Sequence, residues 1–232
     1  MLKCLIAVLC LGLCCVVTCA GADTQTMVPG SDAKINLVCL GDSHTENGTY
    51  AKTLFQALEK ANKATEKYRC LGFGGRTAGD LIAMIKAGKI DLSLDPKAIN
   101  VLCLMIGTNG YNIPDLKTLV ELIQARGWRL VVMTVPPRRG PNTNSGAGGP
   151  GSNGGYNGEV RKLYPALEAG KIQPVQMVDI VPPLLDPALA GRGEWTDLKY
   201  NGDGTHLNAE GYTLLGKTVA DALLSVFPDK KK

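Results

Sequence analysis

Two histidines serve the whole chain, and each has neighbours that could do chemistry with it. His206 lies in "NGDGTHLN" (201–208), three residues after Asp203. His44 lies in "LGDSHTENG" (40–48), directly after Ser43. A serine hydroxyl is a weak nucleophile until a base takes its proton. An imidazole can be that base through one ring nitrogen, and a carboxylate on the other nitrogen fixes its tautomer and stabilises the imidazolium that forms. Ser43, His206 and Asp203 are groups of the right three types. An oxyanion developing on an attacked carbonyl needs donors already in place. The backbone N–H groups of Ser43 and Gly75 and the side-chain amide of Asn109 could supply them, and Gly75 has no Cβ to block close backbone approach. Taken singly, each is ordinary: a serine after a strand usually caps a turn, and a glycine there usually makes one.

What matters is where the elements put them. The apolar run 35–41 ends in glycine and reads as a buried strand. Tyr50, Leu54, Phe55 and Leu58 follow at helical spacing. Further short apolar runs at 68–75, 98–107, 128–135 and 174–181 read as strands. Helices are expected at 77–88, opened by a capping box from Thr77 to Asp80, at 113–127, at 157–170 with a bend at Pro165, and at 208–227, capped by Asn208. Strand and helix alternate five times, which predicts one α/β domain: a three-layer α/β/α sandwich around a five-stranded parallel sheet. In such sheets ligands bind beyond the C-terminal strand ends, near the switch in strand order. Ser43, Gly75, Asn109 and the turn with Asp203 and His206 all fall in loops at that rim. The stretch 136–158 is rich in Gly, Asn and Pro and reads as a mobile surface loop.

Residues 1–22 are set apart from this domain, which spans 23–232. Lys3, an apolar run from Cys4 to Val17 and small residues ending at Ala22 form the pattern of a secretory signal peptide. The run is short for a membrane span, so no stable membrane insertion is expected after cleavage and the mature protein is expected to be secreted or periplasmic. A lipid anchor at Cys19 is the weaker reading, because Val16-Val17-Thr18 is a poor lead-in. Five of the eight cysteines leave with the leader, and Cys39, Cys70 and Cys103 remain. The favoured reading is three inert thiols, and the rival is one disulfide with one free thiol. Two histidines make a zinc site a poor fit, and no cofactor is expected. The net charge of +4 is spread out and lacks basic stripes with interleaved aromatics, which argues against a nucleic-acid partner.

With these residues in order, the chain resembles the SGNH hydrolases, also called GDSL esterases and lipases. The resemblance rests on Gly41-Asp42-Ser43, Gly75, Gly107-Thr108-Asn109 and Asp203-Gly204-Thr205-His206, and covers about 35–227. It implies a flavodoxin-like fold, Ser43 as nucleophile and first oxyanion donor, Gly75 and Asn109 completing the oxyanion hole, His206 as base and Asp203 as its orienter. Two positions depart from the family's pattern: Gly110 stands where aspartate is usual, and Cys70 where asparagine is frequent. The expectation is a serine esterase acting on small acyl esters, acetyl esters of carbohydrate foremost, since few aromatics and no long apolar lid argue against long lipids. Trp195 could stack on a sugar, and His44 is expected at the substrate rim or in a solvated turn. An acyltransferase delivering to an alcohol would use the same residues. A non-catalytic scaffold would leave the Ser, Asp and His idle, and a flavin carrier would give Asp203 and His206 no role.

Overall fold

Runs of Val, Leu and Ile form five strands in the computed structural model, which describes residues 34–138, 153–171, 173–189 and 192–226. They are β1 (Ile35–Gly41), β2 (Ala64–Gly72), β3 (Ile99–Met105), β4 (Arg129–Met133) and β5 (Val175–Val178). Every pairing is parallel and the order is β2-β1-β3-β4-β5. This is the expected α/β sandwich. The helices are α1 (Ser43–Glu46), α2 (Thr49–Lys60), α3 (Ala78–Lys86), α4 (Ile113–Gln124), α5 (Asn153–Leu163) and α6 (Ala209–Val226). The leader with Cys19, the heart of the Gly-rich stretch (139–152) and the lysine tail lie outside the described residues. Among the described residues no helix is long and apolar enough to cross a membrane.

The three central strands are apolar apart from Asn36, Asn100 and Arg129 near their starts, because both sheet faces are covered. Leu37, Leu40, Leu102 and Leu104 are fully buried, and each such side chain contributes roughly 1.5–3 kcal/mol on burial. Caps set the helix starts. Thr77 and Asp80 form the capping box of α3, the Asn112 side chain caps α4, and Asn208 Oδ1 accepts the Gly211 N–H at 2.9 Å where α6 begins.

Three boundaries differ from the sequence expectation. The helix carrying Tyr50 and Leu58, whose pattern runs on to 64 in the sequence, stops at Lys60, and Asn62 takes a left-handed φ of 55°, which asparagine tolerates better than most residues. β2 starts at Ala64 rather than at 68. It is an edge strand, so its first half carries exposed Glu66 and Lys67 and has no apolar run to reveal it; charges on an edge also discourage pairing with other chains. Helix α5 begins at Asn153, inside the stretch read as loop, and ends at Leu163, because Pro165 disfavours helical backbone just before it. The chain beyond Pro165 instead pairs with β5: Met177 N donates to Pro165 O at 2.7 Å and Leu167 N to Met177 O at 3.0 Å.

One polar network holds the approach to the last helix. Arg161 on α5 grips Asp179, just past β5, through Nε at 2.8 Å and Nη2 at 3.0 Å, and its Nη1 donates to Glu194. Asn157 Nδ2 donates to the second Glu194 oxygen at 2.8 Å. The segment leading to Asp203 and His206 is thereby tied to the sheet.

Candidate active site

Strand β1 lies between β2 and β3, so the chain leaves it to one side and later returns on the other. That reversal opens a crevice at the C-terminal ends of the strands. Ser43 follows β1, Gly75 follows β2 and Asn109 follows β3. The loop before α6 crosses to the same place. There His206 Nε2 lies 2.9 Å from Ser43 Oγ, and His206 Nδ1 lies 2.8 Å from Asp203 Oδ2. Residues 163 apart in sequence thus share one hydrogen bond.

The "NGDGTHLN" stretch is shaped for this. Asp203 Oδ1 accepts the backbone N–H of Thr205 at 2.9 Å and of His206 at 2.7 Å, while Asn201 Oδ1 takes the Gly204 N–H at 2.7 Å. Gly202 N donates to His206 O at 2.8 Å and closes the loop. Short Asp and Asn side chains make such turns with their own backbone. One Asp203 oxygen therefore fixes the turn and the other holds the ring, which is why the two residues are three apart. The Asp203 side chain is 62% exposed, so hydrogen bonds rather than burial govern its charge. The His206 backbone N–H, then its ring, hold the carboxyl well below the usual range.

Gly75 and Asn109 are drawn together by a bond from Asn109 Nδ2 to the carbonyl of Arg76 at 3.2 Å. The amide keeps a second hydrogen to give. Among the described residues no acceptor takes the backbone N–H of Ser43 or of Gly75. A Cβ on Gly75 would meet no protein atom within 4 Å, so the space beside its N–H is open. Its φ of +71° adds a second reason for glycine, because left-handed backbone strains other residues. Crowding operates three residues earlier, where a Cβ on Gly72 would lie 2.0 Å from Glu46 N. Cys70 Sγ donates to Thr45 O at 3.1 Å, so this thiol braces the turn that carries Ser43.

A buried polar layer lies beneath Ser43. His44 is not at the rim or in solvent: it is wholly buried, its Nδ1 is 3.0 Å from Tyr212 Oη, and its ring centroid is 5.2 Å from that of His206. Residue 44 lies in the first turn of α1, which turns its side chain inward against α6. Burial pushes its pKa down to about 3, helped by the His206 and Arg138 charges, so it packs as a neutral ring. Asp42 is also fully buried, with Oδ1 accepting His44 N at 3.1 Å and Oδ2 accepting Thr108 N at 3.3 Å. These bonds link the turns after β1 and β3.

Burial pushes the Asp42 carboxyl up to about 6 against the pull of those two amides. A carboxyl raised from its ordinary value near 3.9 binds more protons folded than unfolded, so its stabilisation is present below about pH 4 and is lost as pH rises through 6. The loss is on the order of 3 kcal/mol. Asp42→Asn cannot ionise, so it should gain on the parent by that order between pH 4 and 7. Urea denaturation of both proteins across this range tests it; a stability difference that does not change with pH would contradict the assignment.

Trp195 is half-buried with its indole N–H on Arg192 O at 3.1 Å, and its backbone bridges to Arg138. Cys39, Cys70 and Cys103 are free thiols at matching positions on β1, β2 and β3. Burial pushes Cys70 up to about 11, and the Cys103 contact together with burial raises Cys39 well above its usual value, so neither forms thiolate readily. Sequence reasoning missed Asp42, Thr108, Tyr212 and Arg138 as parts of this neighbourhood. Asp42 and Thr108 stood inside the short motifs that were noticed, which was the available signal.

Residues 39–214 match the family model described as the GDSL-like Lipase/Acylhydrolase family. No match is found among curated proteins. Solved structures with the same fold include an acetyl xylan esterase, AlAXEase, at 16% identity, TM-score 0.57, covering 81% of this chain and 99% of that one. A member of the lipolytic protein G-D-S-L family from Veillonella parvula DSM 2008 aligns at 16% identity, TM-score 0.55, over 81% and 97%. A single-substitution form of Axe2, an acetyl xylan esterase from Geobacillus stearothermophilus, aligns at 16%, TM-score 0.53, over 84% and 98%. The matched span, the strand order and the four motif blocks agree: this chain belongs to the GDSL-like lipase/acylhydrolase family of hydrolases.

Proposed function

We propose that this chain is an exported serine esterase that removes small acyl groups, acetyl foremost, from carbohydrate hydroxyls. The observation that carries the reading is the continuous relay from Ser43 Oγ through the His206 ring to Asp203, at 2.9 and 2.8 Å. Ser43 Oγ attacks the ester carbonyl while His206 Nε2 takes its proton, and Asp203 stabilises the imidazolium. The oxyanion is met by the N–H groups of Ser43 and Gly75 and the Asn109 amide. The C–O bond to the alcohol breaks, and His206 returns the proton to the departing oxygen. Water then gives its proton to His206 and attacks the acyl-serine; the carboxylic acid leaves and Ser43 recovers its hydrogen.

The 1–22 leader pattern supports export. The small aromatic content, 5%, supports a small acyl group over a long chain, and two solved relatives carry the name acetyl xylan esterase. Trp195 is offered as the sugar-facing residue. The test is a chain-length series of p-nitrophenyl esters with the mature protein. Acetate should give the highest kcat/KM, with a fall of tenfold or more by octanoate. A rising series would exclude the small-acyl reading, and inertness toward all of them would exclude esterase action on activated esters.

A further inference from the structure

We propose that the Arg138 guanidinium binds a carboxylate on the alcohol part of the substrate, so that the preferred esters are those of acidic, uronate-type alcohols. The inference rests on the esterase reading and sharpens it. Arg138 lies just past β4, and its Nη2 donates to the Thr108 carbonyl at 2.8 Å. Thr108 adjoins Asn109, and its own N–H lies on the Asp42 carboxylate beside Ser43. The cation is therefore pinned against the turn that carries one proposed oxyanion donor. Its charge reaches the residue following the nucleophile, where it disfavours a protonated His44.

What marks this arginine is the absence of a protein anion among the described residues. Arg161, at the same end of the sheet, holds two carboxylates, those of Asp179 and Glu194. Arg138 makes no ion pair among the described residues, and its Nε is buried without a partner. The nearby Asp42 carboxylate is taken by two backbone amides. A half-buried guanidinium loses hydration that a planar carboxylate restores through paired hydrogen bonds. The backbone bridge from Arg138 to Trp195 brings a segment with a half-buried aromatic residue alongside this one. An acetyl group has no position for a negative charge, so the anion belongs to the alcohol.

The test compares kcat/KM for 4-acetoxybenzoate and for neutral 4-acetoxyacetophenone, in the parent and in Arg138→Gln, whose amide can still donate to Thr108. The parent should favour the anionic ester tenfold or more, and the ratio of the two should fall tenfold or more in the variant. Arg138→Lys, which keeps charge without the fork, should fall between. No preference in the parent, or equal losses on both esters in the variant, would overturn the proposal and leave Arg138 as a brace for Thr108. So would a preference confined to p-nitrophenyl hemisuccinate, whose charge is on the acyl side. If the parent cleaves neither ester, the esterase reading fails on its own. Calorimetric titration with 4-hydroxybenzoate then decides the anion site without turnover: binding that weakens tenfold in Arg138→Gln supports it, and binding indifferent to the substitution overturns it.

Discussion

His206→Ala should lower kcat for p-nitrophenyl acetate by about 10⁴–10⁶, the range seen when a serine nucleophile loses its base. The ring is the one group within hydrogen-bond distance of both Ser43 Oγ and Asp203 among the described residues. Without it the serine must ionise unaided, and Asp203 has nothing to orient. The interaction lost is made as the proton moves, so the fall should appear in kcat with KM little changed. The fold should survive, since the loop is closed by Gly202 N on His206 O, a backbone bond that alanine keeps. Steady-state kinetics with a circular dichroism check on folding measures this. A fall of less than tenfold would mean that some other group takes the serine proton.

Asp203→Asn should cost about 10³–10⁴ in kcat, less than removal of the base. The asparagine oxygen can still accept the Thr205 and His206 N–H groups, so the turn should persist. Its amide then points hydrogens at His206 Nδ1, where the carboxylate accepted one. That favours the tautomer with hydrogen on Nε2, which cannot take the Ser43 proton. The carboxylate is largely solvent-exposed, and water can replace some of its support, which places the loss at the lower end for this kind of substitution. Thermal melts beside kinetics separate the two effects. Equal and large losses of stability and activity would show that Asp203 acts through the turn alone.

The sheet was legible where strands are buried on both faces. β1, β3 and β4 announce themselves as mostly apolar runs, and Gly41 at the end of β1 and Gly107 after β3 mark where they stop. The start of β2 was not legible, because an edge strand pairs through its backbone while its side chains stay charged. The start of α5 was hidden because "NGGYNG" is poor in helix formers and owes its shape to packing: Tyr156 Oη donates to Ile106 O at 2.7 Å.

The polar groups of the candidate site were legible as a set because each follows a strand or lies in the loop facing those ends. Their surroundings were not. Nothing in the sequence says that His44 turns inward, since adjacent residues diverge by about 100° around a helix and Ser43 faces the crevice. Nor does it say that Tyr212, in the first turn of α6, will meet that ring. Such pairings depend on how α6 sits against β1 and α2, which is a property of the assembled core. The left-handed backbone of Gly75 was not legible either, because φ is invisible in the sequence.

The most direct test of the account is to treat the mature protein with a fluorophosphonate and locate the adduct by mass spectrometry. The account predicts one covalent adduct, on the peptide containing Ser43, absent in Ser43→Ala and strongly slowed in His206→Ala. An unlabelled parent, or label on another serine that persists in Ser43→Ala, would contradict the claim that Ser43 is an activated nucleophile.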